Sequence, residues 1–296
     1  VLPGSTDDEV LISCHVCHPA LCNDNLSGVA VAAFLGRALA ARARRLTYRV
    51  LFIPGTIGSI TWLARNEAGI DRIRHGLVLS GLGDRGRPTY KKSRRGDAEI
   101  DRIVSYALRA GGADHAITEF APWGYDERQF CSPGFDLPVG CLMRTPHGRY
   151  PEYHTSADDL DFVHPAALAD SLALCERIID IVETNRRYVS RNPKGEPQLG
   201  RRGLYGGLGG MERDGSELAL LWVLNLADGR HSLLDVAERS GLAYPLVAEA
   251  AGKRHLLLLG QEREAVDGLD IALQAAGCRW DGQSKAHHST PSRCLV

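Results

Sequence analysis

Short apolar runs that stop abruptly at polar residues alternate along this chain with stretches of helical periodicity, and that alternation constrains the fold more than any other feature. "EVLISCH" (9–15), "TYRVLFIP" (47–54) and "IRHGLVLSGLG" (73–83) read as buried strands, with "AITEFAP" (116–122) and "LPVGCLMR" (137–144) further on. "SGVAVAAFLGRALAARARR" (27–45) reads as a helix, with Ser27 at its N-cap and arginines in its last turn, where they suit the helix dipole. "GSITWLARNE" (58–67), "AEIDRIVSYALRAGG" (98–112, closed by glycine) and "PAALADSLALCERIIDIVETNRR" (165–187) supply three more helices. Strands that alternate with helices predict an α/β fold, a mostly parallel sheet flanked by helices.

The texture changes after residue 187. The stretch 188–216 is rich in Gly, Pro and Arg and is expected to be a linker; 217–253 gives three short amphipathic helices, with "LLDVAERSGL" patterned like a helix-turn-helix. The expected organisation is an α/β domain over 1–187, the linker, a small helical domain over 217–276 and a disordered tail over 277–296. A chain of 296 residues, 44% hydrophobic and 24% charged, has the material for one large domain and a small one. The net charge of −1 sets up no field for nucleic acid, which is not expected as a partner. No run of 18 apolar residues is present, so no membrane helix is expected. The opening "VLPGSTDDEV" has no signal-peptide character, and eight cysteines are too few for a disulfide scaffold, so a cytoplasmic chain with reduced thiols is the expectation. Because the first residue is Val, the chain is expected to be part of a longer one.

The densest chemistry lies in "SCHVCHPALCNDNLSG" (13–28), which admits three readings. Cys14, Cys17 and His18 make the C-x-x-C-H pattern of haem attachment. Cys14, Cys17 and Cys22 could form a thiolate zinc cluster. Alternatively His15, His18 and Asp24 are part of a hydrolytic metal centre, with the cysteines as small buried neighbours. Haem attachment does not suit a cytoplasmic chain, and Cys131, Cys141 and Cys175 form no second C-x-x-C. In open parallel sheets ligands bind at the carboxyl ends of the strands. His15 and His18 fall at the end of the first strand, Asp24 before the following helix and Asp84 after the third strand. "GYDERQFCSPG" (124–134) and "YPEYHTSADDLDFV" (150–163) add Asp126, Glu127, Glu152 and His154 in loops. Imidazoles and carboxylates are the ligands zinc takes in hydrolytic sites. Singly, each of these residues has an ordinary explanation in caps and loop hydrogen bonds; together, at successive strand ends, they point to a site.

"NDNLSGVA", "GTIGSITWL", "LSGLGD" and "YHTSADDLD", in this order, resemble the M28-type zinc aminopeptidases. The nearest likeness is to the bacterial aminopeptidase-like branch with a C-terminal winged-helix domain, which "LWVLNLADGRHSLLDVAERSGL" resembles. The resemblance spans roughly residues 3–260. It implies one or two zinc ions, with Asp24 bridging, His15 or His18 before it, Asp84 and His154 as further ligands, and Tyr153 steadying the oxyanion. The metal would polarise the scissile carbonyl and acidify the attacking water. The substrate implied is a peptide or a small amide-containing intermediate, and a homo-oligomer is compatible with such a chain.

One departure matters for mechanism. The family carries a Glu-Glu pair after the second strand, one as base and one as ligand, whereas this chain reads "IPGTIGS" there. The aspartate expected two residues after the first histidine is replaced by Cys17. Glu127 is the expected base, with Glu152 second, and the extra histidine, His15 or His18, the expected replacement ligand. Without such a replacement the chain would be a non-hydrolytic binding module. A regulator that binds DNA through 217–260 is the third alternative, but that segment has no basic excess.

Overall fold

The computed structural model describes residues 1–18, 20–195, 215–252 and 258–261. Most of the expected linker and the whole of the expected tail lie outside them. The strands of the larger sheet are β1 (Glu9–His15), β2 (Thr47–Ile53), β3 (Ile73–Leu79), β4 (Thr89–Lys91), β5 (Ala116–Thr118) and β6 (Val139–Met143). Their spatial order is β2-β1-β3-β6-β4-β5, and every pairing is parallel except β4 with β6. The sheet is therefore mixed but mostly parallel, as the alternation predicts. β1 is buried at all seven positions, which is why its sequence is a continuous apolar run rather than an alternating one.

Helices α1 (Gly28–Ala40), α2 (Ile57–Asn66), α3 (Glu99–Ala110), α4 (Glu127–Phe130) and α5 (Pro165–Thr184) belong to the same domain. One core joins Val10, Ile12 and Leu79 of the sheet to Leu35, Ile103 and Ile178 of α1, α3 and α5. A second core, with Leu11, Leu63, Val78 and Phe130, lies against α2 and α4. Alternate residues of β1 thus face opposite layers, giving helices on both sides of the sheet.

β4 is the element that periodicity misses. It is three residues long, and it is held because Tyr90 is fully buried with its hydroxyl donating to Asp101 Oδ1 at 2.8 Å.

Beyond residue 185 the chain enters a small module immediately. β7 (Arg187–Ser190) takes up the first residues of the expected linker and pairs antiparallel with β8 (Asp228–Ser232) and β9 (Leu258–Gln261). Helices α6 (Ser216–Asn225), α7 (Leu233–Ser240) and α8 (Tyr244–Gly252) complete a winged-helix arrangement. The module packs on the large domain through the same core, which includes Leu220, Val236, Tyr244 and Val247. Polar contacts fix its placement: Arg102 Nη2 lies 2.6 Å from both Asp235 Oδ1 and Glu238 Oε2, and the Tyr244 amide donates to the Tyr106 hydroxyl at 2.9 Å. Asn185 ties the boundary itself, donating to Glu99 Oε1 and accepting from the Leu234 amide.

Candidate metal centre

The site forms at the carboxyl ends of β1, β2 and β3. After β1 the chain turns through Cys22–Ser27, a stretch of non-helical backbone at Asp24 and Asn25, before α1 begins. Its polar side chains fasten the turn to its surroundings. Asn25 Nδ2 donates to the Leu79 carbonyl at 3.0 Å and its Oδ1 accepts from Gly81 N at 3.0 Å. Asn23 Oδ1 accepts from Gly83 N, and Ser27 Oγ accepts from Leu82 N, both at 2.9 Å. The Asp158 carboxylate takes the amides of Asn23 and Asp24, at 2.5 and 2.9 Å. α1 begins hard against the end of β3: a Cβ on Gly28 would meet the Leu79 carbonyl oxygen at 2.6 Å, so only glycine permits this approach.

With its neighbours so anchored, Asp24 presents its carboxylate to a cluster of histidines. His15 Nε2 lies 2.6 Å from Asp24 Oδ1, with both side chains buried. His154 Nε2 lies 3.0 Å from Asp24 Oδ2. His154 adopts φ +58°, a left-handed conformation that costs a non-glycine residue energy and is found where a site demands it. The ligand atoms of His18, Asp24 and His154 all lie within 4.8 Å of one another, the only group of that kind among the described residues. Burial alone would raise the Asp24 pKa, but the His15 hydrogen bond and the fields of His147 and His18 outweigh it and hold the carboxyl below its ordinary value. Two imidazoles and an ionised carboxylate, brought together from the turn after β1 and the loop after β6, suit a divalent zinc-like ion, and the buried Asp24 Oδ2 accepts no well-aligned hydrogen bond although His154 Nε2 is close to it. His15 is not in that group; its Nε2 is bonded to the other oxygen of Asp24.

Aromatic rings wall the cluster. Tyr125 stacks on His15 at 3.8 Å between centroids, and Tyr153 stacks on His154 at 3.9 Å. The Tyr125 ring crosses directly over Gly55, where a Cβ would come within 2.1 Å of it. Its hydroxyl lies 2.8 Å from Cys17 Sγ. Tyr153 keeps its phenol proton, since burial and the Asp24 charge both raise its pKa.

Three expected site residues are placed elsewhere. Asp84 is not with the triad. Its Oδ1 accepts from Gly86 N and Thr145 Oγ1, both at 2.6 Å, and its Oδ2 accepts from Asn23 Nδ2 at 3.0 Å. It organises the loop after β3 rather than facing the histidines. Glu127 is buried and ion-paired with Lys91, and both its oxygens accept from the Tyr125 amide. Lys91 in turn donates to the Trp123 carbonyl at 2.6 Å. Glu152 falls outside the triad as well, and its carbonyl accepts from Thr155. Among the described residues no cysteine joins the group, and Cys14, Cys17 and Cys22 form no such group of their own.

Where "IPGTIGS" lacks the two glutamates, the backbone makes a tight turn. Thr56 has φ 63° and ψ −64°, and the Ile57 amide donates to the Gly55 carbonyl at 2.7 Å, the geometry of a strained γ-turn. Asp126 reaches in from the loop before α4: its Oδ1 accepts from Thr56 N at 2.6 Å and from Ser59 Oγ at 2.9 Å. Burial raises the Asp126 pKa. One residue that the sequence reading passes over is also present. His147 lies between Tyr125 and Tyr153, with ring centroids 5.7 and 6.1 Å away, and its Nε2 is buried without a hydrogen-bond partner.

Comparison with known proteins places this geometry. Residues 1–185 match the profile of a domain of unknown function, DUF4910, and residues 186–257 match a winged helix-turn-helix profile. A Clostridium acetobutylicum protein, named for polysaccharide biosynthesis and an aminopeptidase-like domain, is 48% identical over 249 residues, covering 84% of this chain and 57% of its own length. A crystal structure from Clostridium acetobutylicum described as a peptidase superposes with a TM-score of 0.80 at 45% identity, over 88% of this chain and 59% of that one. The zinc aminopeptidase of Bacillus subtilis shares the fold, with a TM-score of 0.53 at 18% identity over 61% of this chain and 48% of that one. The chain thus spans somewhat more than half the length of the two Clostridium relatives.

Proposed function

This chain belongs to the DUF4910 family, with a winged helix-turn-helix module behind the family domain, and from that premise we propose that it is a zinc-dependent amide hydrolase. It acts as an aminopeptidase on peptides, or on an amide in a small biosynthetic intermediate, the latter suggested by the polysaccharide-biosynthesis name of its relative. The aminopeptidase-like fold supports this reaction class. The single observation that carries the reading is the convergence of His154, from the loop after β6, on His18 and Asp24 of the turn after β1.

In this reading His18, Asp24 and His154 hold the metal. Bound there, zinc would polarise the scissile carbonyl and lower the pKa of a water molecule. The chain's own groups do the remainder. His15 orients Asp24 through the bond to its Oδ1. Tyr153, protonated and stacked on His154, donates to the carbonyl oxygen as negative charge develops on it. Tyr125 and Tyr153 stack on His15 and His154 and hold their ring planes.

The competing reading is a binding module that keeps the fold without hydrolysis, and the γ-turn that replaces the glutamate pair favours it. A panel of aminoacyl 4-nitroanilides and dipeptides, assayed with added zinc and with a chelator, separates the two. Chelator-sensitive release of an N-terminal amino acid or of an amine is expected. Zinc binding with no turnover of any amide would leave the binding module.

A further inference from the structure

The proposed reaction needs a group to take a proton from the attacking water, and the neighbouring carboxylates of Glu127 and Asp126 are each held through at least one oxygen. Glu127 is neutralised by Lys91. Asp126 clamps Thr56 and Ser59 through Oδ1, and its Oδ2 is buried without a partner. His15 has its Nε2 on Asp24. The His147 ring stands in the aromatic wall between Tyr125 and Tyr153, which stack on His15 and His154, and its Nε2 is buried with no protein partner.

We propose that His147 is the general base of this site. The inference rests on the hydrolytic reading above. As the water oxygen bonds to the carbonyl carbon, its O–H bond breaks and the proton passes to His147 Nε2, while the carbonyl π pair moves onto oxygen. When the carbonyl re-forms and the C–N bond breaks, His147 returns that proton to the departing nitrogen, so that one water is consumed and the base is regenerated.

The groups around His147 keep it ready to accept. Burial lowers its pKa, as do the fields of His15 and Lys91, while Asp24 and Glu127 act in the opposite direction; the net shift is downward. A histidine lowered from its ordinary value is uncharged at neutral pH, which is the form a base requires.

The test uses the zinc-loaded chain and the substrate found in the panel above. His147→Gln should keep the wild-type zinc content and melting temperature and lower kcat by about 10²–10⁴ with little change in KM. The acid limb of its pH profile should flatten, and His147→Ala should regain activity in added imidazole. In the nitrogen NMR spectrum of the wild type, His147 should be neutral at pH 7, and zinc should shift its Nε2 resonance without coordinating it. Wild-type activity in His147→Gln at every pH would overturn the proposal, and so would zinc coordination by His147. A silent His147→Gln with an inactive Asp126→Asn would move the role to Asp126. A wild-type chain that binds zinc and cleaves nothing would overturn the hydrolytic reading and the proposal with it.

Discussion

Asp24 and Asp84 both follow strands and both sit in loops rich in glycine and asparagine, yet only Asp24 faces the histidines. The difference lies in local donors. Gly86 N, Thr145 Oγ1 and Asn23 Nδ2 surround Asp84, whereas the amides near Asp24 are taken by Asp158 and the Asn25 side chain. Glu127 shows the same principle at higher stakes, since Lys91 comes from a distant strand to pair with it in a buried setting. Removing one partner of a buried ion pair leaves the other charge without compensation. Glu127→Gln should therefore destabilise the chain by about 3–5 kcal/mol in urea unfolding, largely through the stranded Lys91. A change below about 1 kcal/mol would show the pair to be well solvated.

At the scale of elements, the short helix α7 repays attention because it joins the two parts of the molecule. Ser232 caps it: Ser232 Oγ accepts from Asp235 N at 3.2 Å while Asp235 Oδ2 accepts from Ser232 N at 2.7 Å. Asp235 also receives Arg102 from the large domain. Burial would raise its pKa, but the Ser232 and Arg102 bonds prevail and lower it. A carboxyl whose pKa is lower folded than unfolded contributes stability above its unfolded pKa and loses it as pH falls through the folded value. Asp235→Asn should cost about 1 kcal/mol at pH 7, and the deficit against wild type should shrink in acid unfolding below about pH 4. A constant deficit across pH would contradict the assignment. The shortest elements mark the limit of what sequence discloses. α1, α3 and α5 are legible because their apolar spacing is long and regular. β4 and α4 are too short to carry a period, and β7 hides inside a polar stretch that reads as linker. The site divides in the same way. His18, Asp24 and His154 are legible as residues at strand ends and in polar loops, whereas His147 in "TPHGRYPEYHTS" becomes visible only when its loop closes beside Tyr125.

For the whole molecule, the winged-helix module is a packing partner of the large domain. The helix α8 that would read DNA in a free module carries no Lys or Arg, buries Tyr244, Val247 and Ala250, and is held by Tyr106 and Thr184. Binding to a random duplex should accordingly be absent at 50 mM salt, and tight salt-sensitive binding would contradict this placement. Ending the chain after residue 185 would expose the side chains that Leu220, Val236 and Val247 cover, so the shortened protein should melt lower and bind an apolar dye. No helix among the described residues is long and apolar enough to cross a membrane.

The central claim is that His154 joins His18 and Asp24, distant from it in sequence, in one metal site. The measurement that tests it most directly is the zinc content of the purified chain beside that of Asp24→Ala and His154→Ala. Zinc bound by the wild type and lost in both variants is the predicted result. Zinc retained in both would contradict the claim and move the metal to Cys14, Cys17 and Cys22, and a wild type that takes up no zinc would contradict it outright.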